Sequence, residues 1–239
     1  MKELAPWIDQ IFDSSSDKLI FGTTFSQLEK EKCVKLAQLE QGTVEWMGQR
    51  SASRITASRA HSILHARTKQ TMLNYFFDER KPSDPQCGIA NCMYGIAMEP
   101  VARDCFISQT GQDVQEVGLI VRPDQSFLAG SPDGLFLDSQ QRLRVLEIKC
   151  PSSCKDNYIK VPYLRGGELS KSHSYFTQIQ ILMYVTGSRL CDLFVFSSKD
   201  NVTVTVPIDE TFLERTITDL GNIYYFDIWP EILKRAENE

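Results

Sequence analysis

Between Gly130 and Lys149 the chain reads GSPDGLFLDSQQRLRVLEIK, in which Asp133, Glu147 and Lys149 interrupt residues that favour strands. The polar stretch Ser139 to Arg142 separates two apolar runs, which is the pattern of a hairpin. A turn centred on Gln140 sets Leu137 opposite Leu143, Leu135 opposite Val145 and Asp133 opposite Glu147. Side chains alternate along a strand, so Glu147 and Lys149 share the face of Asp133, while Leu146 and Ile148 point the other way into a core. Directly opposed residues have Cβ atoms about 4.5–5.5 Å apart, and like charges at that range repel. A buried carboxylate pair must then share a proton or hold a cation. Hard oxygen donors suit Mg²⁺ or Mn²⁺. An ammonium on the same face can orient or activate a water, or stabilise a charged transition state. Pro132 fixes φ just before Asp133, and Gly134 leaves room beside it. Pro-Asp-Gly alone is a common turn. The full pattern, Asp-x13-Glu-x-Lys with apolar strands around it, is what points to a metal site.

Such groups need elements to hold them. A capping box at Ser26 and Glu29 opens a helix to about residue 41, and Thr56 to Ser58 cap another to about 66. Further helices are expected over 73–77, 89–110 and 173–186, and over 210–236 apart from Pro230. Residues 81–88 read as a loop from their Pro and Gly content. Strands are expected near 114–121, 127–130, 134–137, 143–149, 192–197 and 202–206. Helices flanking a cluster of strands make an α/β or α+β domain. No linker divides the 239 residues, so one domain is expected: a helical extension over 1–40, a core over 41–199, and a C-terminal strand and helix over 200–239.

The composition narrows the class. With 42% hydrophobic and 24% charged residues, the chain is that of a globular protein able to bury one sizeable core. Its longest apolar run, Ile181 to Val185, is far short of the roughly 20 residues a membrane span needs. The N-terminal MKELAPWIDQ lacks the apolar core of a secretory signal. Seven cysteines at irregular spacing form no CxxC and suggest a reducing compartment, so an intracellular protein (nuclear or cytoplasmic, not secreted) is expected. The net charge of −5 excludes a global basic footprint for nucleic acid. Locally the balance differs: from Arg50 to Phe77 there are five Lys or Arg and no acid, a patch suited to phosphate.

SPDG followed by LEIKCP resembles the lambda-exonuclease-type, YqaJ viral recombinase family of the PD-(D/E)xK nuclease superfamily. Other elements occur in the same order: WMGQR at 46–50, RITAS at 54–58, GIAME at 95–99 with Ala102, LRGG at 164–167 and YFTQIQ at 175–180. The resemblance covers roughly residues 41 to 199, with weaker similarity to about 235.

The resemblance implies a restriction-endonuclease-like core, a mixed central β-sheet flanked by helices. It implies Mg²⁺-dependent phosphodiester hydrolysis, with Mn²⁺ as a substitute, proceeding 5′-to-3′ on double-stranded DNA in recombination or in viral or mobile-element replication. By motif position Asp133, Glu147 and the backbone carbonyl of Ile148 are metal ligands, and Lys149 is the catalytic lysine. Glu99 is a further carboxylate, for a second metal or the outer shell, although Pro100 directly after it can start or kink its helix. A pocket for the 5′-terminal phosphate maps onto Arg50, Ser58, Ser131 and Gln178. Arg50 stands one residue further from Ser58 than in the lambda-type pattern, so Arg54 is carried as a second candidate for its role. The partners that follow by resemblance are double-stranded DNA ends, a single-strand annealing protein and further copies of the chain in a homotrimer. An endonuclease of the same superfamily and a non-catalytic DNA-end-binding recombination module are the alternatives. Cleavage of a closed circle, or binding without hydrolysis, discriminates them.

Overall fold

The structure is a computed structural model and describes residues 27–51, 54–77 and 85–237. In chain order the elements are α1 (Gln27–Ala37), α2 (Val44–Ser51), β1 (Ile55–Thr56), α3 (Ala57–Leu64), α4 (Lys69–Phe76) and α5 (Pro85–Thr110). They continue with β2 (Ile120–Val121), β3 (Leu128–Gly130), β4 (Gly134–Leu137), β5 (Leu143–Lys149), β6 (Leu164–Arg165), β7 (Glu168–Leu169) and α6 (Ser174–Thr186). The chain then forms β8 (Leu190–Phe196), β9 (Asn201–Pro207), α7 (Glu210–Ile223), a π-helical turn (Tyr224–Ile228) and α8 (Trp229–Ala236).

The hairpin forms in the expected register, with Leu135 paired to Val145 and Leu137 to Leu143. Its turn is built on Asp138, whose Oδ1 accepts from the amides of Gln140 (2.9 Å) and Arg142 (3.0 Å), while Arg142 Nε donates to Oδ2 (2.9 Å). Gln141 takes the left-handed conformation that closes the loop, at φ 60°. The Arg142 side-chain hydrogen bond, helped by the two amides, holds the Asp138 carboxyl down at about 2. A depressed folded-state pKa stabilises the fold above the unfolded value, and that stability is lost as pH falls toward 2. Asp138→Ala is therefore expected to cost about 1–3 kcal/mol near neutral pH. Denaturant melts should show the gap to the parent protein closing as pH falls from 5 toward 2.

A mixed four-stranded sheet grows from this hairpin in the order β4-β5-β8-β9. β5 and β8 are parallel and the outer pairs antiparallel. A parallel pair needs a crossover, and α6 supplies it. Helices lie on both faces of the sheet, so its inner strand β8 is apolar apart from Asp192, while the edge strand β9 alternates buried Val204 and Val206 with exposed Thr203 and Thr205. Leu146, Ile148, Phe136 and Phe194 pack on Ala102 and Phe106 of α5. Leu135, Val145, Cys191, Leu193 and Val195 share a second core with Ile179, Leu182 and Met183 of α6. α6 is apolar on most sides, as befits a buried helix, and it stops at Gly187, φ 71°.

A second sheet, β1-β3-β2, runs β1 parallel to β3 and β2 antiparallel to it. Residues 118 and 119 lie against the end of α1, where the amide of Gly118 donates to Ala37 O (2.8 Å) and that of Leu119 to Leu36 O (2.9 Å). A Cβ at Gly118 would overlap the Leu39 carbonyl oxygen, so only glycine allows this approach. Gly134 is needed for a related reason, because the Val114 side chain occupies the place of its missing Cβ.

The fold is thus a mixed sheet flanked by helices, as the sequence indicates. Several expectations are corrected. The strand expected over 114–121 shrinks to a bridge between Gln115 and Leu135 plus β2. β1 and the β6–β7 hairpin are additional, since two-residue strands leave no periodicity to read. The helix expected over 73–77 begins at Lys69, where Thr68 caps it by accepting from the Thr71 amide. Residues 85–88 of the expected loop belong to α5, and residues 81–84 and Ser26 lie outside the described residues. α5 neither starts nor breaks at Pro100, because proline removes one hydrogen bond while the packing of Ala102 and Phe106 holds the helix. The C-terminal helix is divided by the π-helical turn, and Pro230 falls in the first turn of α8, directly after it. Among the described residues no helix is long and apolar enough to cross a membrane.

Candidate active site

The paired ladder of β4 and β5 stops at Gly134–Leu146, leaving the next inward-facing amide of β5 without a strand partner. Asp133, just before β4, fills the gap: its Oδ2 accepts from the Ile148 amide at 2.6 Å. Glu147 is only 1% exposed. Its Oε1 accepts from Lys149 Nζ (2.5 Å) and from Gln178 Nε2 of α6 (2.6 Å). Its Oε2 is buried and accepts no hydrogen bond from any described residue.

Glu99 arrives from α5. Arg103, one turn later, pairs with it at 2.6 Å and with Glu116 at 3.1 Å, and also donates to the Asp133 carbonyl at 3.1 Å. This buried guanidinium ties the Glu99 helix to the start of the hairpin. The i,i+4 spacing of Glu99 and Arg103 is visible in the sequence, but their link to Asp133 is not.

The three carboxylates strain one another. Burial first, then the Asp133 charge, pushes Glu147 up to about 8 and Glu99 up to about 7. Burial also raises Asp133, against the pull of Lys149, the Ile148 amide, Arg103 and Arg50. Burial draws the Lys149 ammonium down, but Glu147 and Asp133 outweigh it and hold the pKa above the usual lysine value. The lysine is therefore a cation at neutral pH. Its Nζ lies 4.7 Å from the centroid of the Tyr175 ring, whose edge meets Tyr163 (4.9 Å) and His173 (4.6 Å). The Tyr175 ring therefore faces a cation as well as packing on its neighbours.

Among the described residues no three His, Cys, Asp or Glu side chains converge tightly enough to enclose a metal ion by themselves. What fits a hard cation is the donor chemistry. Carboxylates raised by mutual repulsion and a buried Glu147 oxygen without a donor both gain from one.

Next to the carboxylates the structure gathers part of the expected phosphate pocket. Arg50, on α2, donates to Ser58 Oγ (2.9 Å), and Ser58 Oγ lies 3.3 Å from Thr56 Oγ1. The Arg50 guanidinium lies 4.7 Å from the Trp46 ring centroid, and Trp46 Nε1 donates to Ser131 Oγ (3.2 Å), two residues before Asp133. Trp46, part of the WMGQR motif, thus joins Arg50 to Ser131. Arg54 is separate: it donates to the Gln49 carbonyl (2.9 Å), and burial lowers its pKa against the opposing pull of Tyr224 and Cys33. Gln178 is committed to Glu147, while its neighbour Thr177 holds His61, with Thr177 Oγ1 3.0 Å from His61 Nδ1.

Residues 45–189 match the model of the YqaJ-like viral recombinase domain. An uncharacterized protein of Acanthamoeba polyphaga mimivirus, R354, is 27% identical over 168 residues, which is 66% of this chain and 29% of that protein. The chain thus spans less than a third of that relative's length. Among solved structures, the alkaline exonuclease LHK-Exo of Laribacter hongkongensis shares the fold with a TM-score of 0.58 and 22% identity over 82% of this chain and 98% of that one. A phage-related exonuclease from Haemophilus somnus 129PT superposes with a TM-score of 0.51 and 11% identity, over 75% of this chain and 96% of that one. The domain match takes in Arg50, Glu99, Asp133, Glu147, Lys149 and Gln178. The chain belongs to the YqaJ-like viral recombinase domain family.

Proposed function

We propose that the protein is a Mg²⁺-dependent exonuclease that degrades double-stranded DNA in the 5′-to-3′ direction. The observation that carries this reading is the buried Glu147 oxygen without a donor, set beside Asp133 and Lys149. Asp133, Glu147 and the Ile148 carbonyl would hold the cation, with Glu99 as an outer carboxylate or support for a second ion. Bound there, Mg²⁺ supplies Lewis acidity, polarising a phosphoryl oxygen and lowering the pKa of water.

The chain's own groups do the rest. Lys149, charged and fixed between Glu147 and Tyr175, orients the attacking water and offsets negative charge developing on phosphate. Arg103 keeps Glu99 at the hairpin. Arg50, with Ser58 and Ser131, offers the donors that a terminal phosphate needs. Its field reaches Asp133, which supports a reading in which the terminal phosphate is gripped beside the scissile bond. A homotrimer and a single-strand annealing partner belong to the same proposal through the family resemblance alone, and light scattering reads the first directly.

The test is digestion of linear duplex with and without a 5′-phosphate, alongside a closed circle, in Mg²⁺ and in chelator. Release of nucleotides from the phosphorylated ends, with the circle intact, is expected. Nicking of the circle would make the protein an endonuclease, and binding without hydrolysis an end-binding module. Arg50→Ala is expected to slow digestion of the phosphorylated end by about 10- to 100-fold, the scale of one charged hydrogen-bonding group. It should also abolish the preference over the 5′-hydroxyl end. An undiminished preference would remove Arg50 from the pocket.

A further inference from the structure

The segment between Cys150 and Tyr163 leaves the site and returns to it. It departs directly after Lys149 through a 3-10 turn at Ser152–Cys154. It comes back at Tyr163, whose ring meets that of Tyr175 at 4.9 Å, the same ring that faces Lys149. Loops with adjacent ends that are packed by their own groups are often functional. This one is closed internally, Cys154 Sγ donating to the Lys160 carbonyl at 3.7 Å and the Asn157 amide to the Cys154 carbonyl at 3.0 Å.

It is also braced from both sides. From the β8–β9 turn, Ser198 Oγ donates to the Lys155 carbonyl (2.6 Å) and Ser197 Oγ to that of Asn157 (2.8 Å), while Asp200 Oδ2 accepts from the Ile159 amide (3.3 Å). From α5, the helix of Glu99, Asn91 Oδ1 accepts from Ser152 Oγ at 2.6 Å. On this fastened loop Tyr158 is 76% exposed. Lys155, Lys160 and Lys199 are exposed around it. Asp200 is occupied by the Ile159 amide, and Asp156 meets Lys155 only at 3.9 Å with both side chains largely in solvent, so phosphate can displace it.

An exposed aromatic face on a braced loop among cations is the arrangement that binds single-stranded nucleic acid, by base stacking together with phosphate contacts. We propose that Tyr158 stacks on an unpaired base of a DNA strand lying at the site, while Lys155, Lys160 and Lys199 contact its phosphates. The inference rests on the nuclease reading for the presence of that strand. An unpaired base is required because a base within a duplex has no free face.

Binding of a fluorescently labelled single-stranded oligonucleotide, measured by anisotropy without divalent metal, tests it. Tyr158→Ala should bind about 5- to 150-fold more weakly, Tyr158→Phe close to the parent, and a blunt duplex should show little change. Replacing Lys155, Lys160 and Lys199 with Ala should lower the slope of log K against log salt by about 2. Equal binding by Tyr158→Ala and the parent would overturn the stacking proposal even if the parent digests DNA. A Tyr158-dependent loss of binding in a protein that hydrolyses nothing would keep the stacking site and overturn the nuclease reading instead.

Discussion

Glu147→Gln is expected to reduce hydrolysis of linear duplex by at least about 10³-fold, or about 4 kcal/mol of transition-state stabilisation, while leaving the fold and DNA binding in place. Glutamine keeps the volume and an Oε1 that Lys149 and Gln178 can still donate to. What it removes is the oxygen that accepts nothing from the described chain and the carboxyl proton that a cation can displace. The same substitution has a signature that needs no substrate. Burial and Asp133 raise Glu147 from the ordinary 4.5 to about 8, so the folded protein holds a proton that the unfolded chain has released. That contribution to stability is complete below the unfolded pKa and is lost as pH rises through about 8. In chelator the parent's melting temperature should therefore fall between pH 5 and 9, and the Gln variant's should fall less. Mg²⁺ should recover the parent at the alkaline end and leave the variant unmoved. A fully active Gln variant, or identical profiles, would refute the assignment of Glu147.

Lys149→Met should lower the single-turnover rate by about 10²- to 10³-fold, the usual range for losing one group that stabilises charge in the transition state. Methionine fills the space against Tyr175 but carries no charge. Two consequences separate loss of chemistry from loss of packing. Lys149 is one of the groups holding the Glu147 pKa down, so without it Glu147 keeps its proton more tightly. The variant should need more Mg²⁺ at pH 7, and raising the pH should reduce that need without restoring the rate. Unchanged Mg²⁺ dependence with a slow rate would confine Lys149 to the chemical step. An unchanged rate would remove it from the mechanism.

The hairpin was readable because its information is local. Alternation of period two and a polar turn fix the pairing of Leu135 with Val145 and Leu137 with Leu143, and the structure has both pairs. The same logic failed at β1 and at β6–β7, where two residues are too few to show a period. The helix expected over 89–110 does run through Pro100, because the rule about proline concerns one hydrogen bond, whereas Ala102 and Phe106 just beyond it are packed in the core.

The candidate site divides along the same line. Asp133, Glu147 and Lys149 could be named from the sequence because one turn brings them together. The contacts that set their properties come from distant segments. Gln178 reaches Glu147 across 31 residues, Arg103 reaches the Asp133 carbonyl across 30, and Trp46 reaches Ser131 across 85. Those approaches depend on how α5 and α6 pack on the sheet and how α2 lies beside β3, which no local period encodes. The chain alone therefore determined which groups can do the chemistry and the strand register that pairs them. Tertiary packing decided how deeply they are buried, and so which carboxylates keep their protons, which oxygen is left without a donor, and that the lysine stays charged.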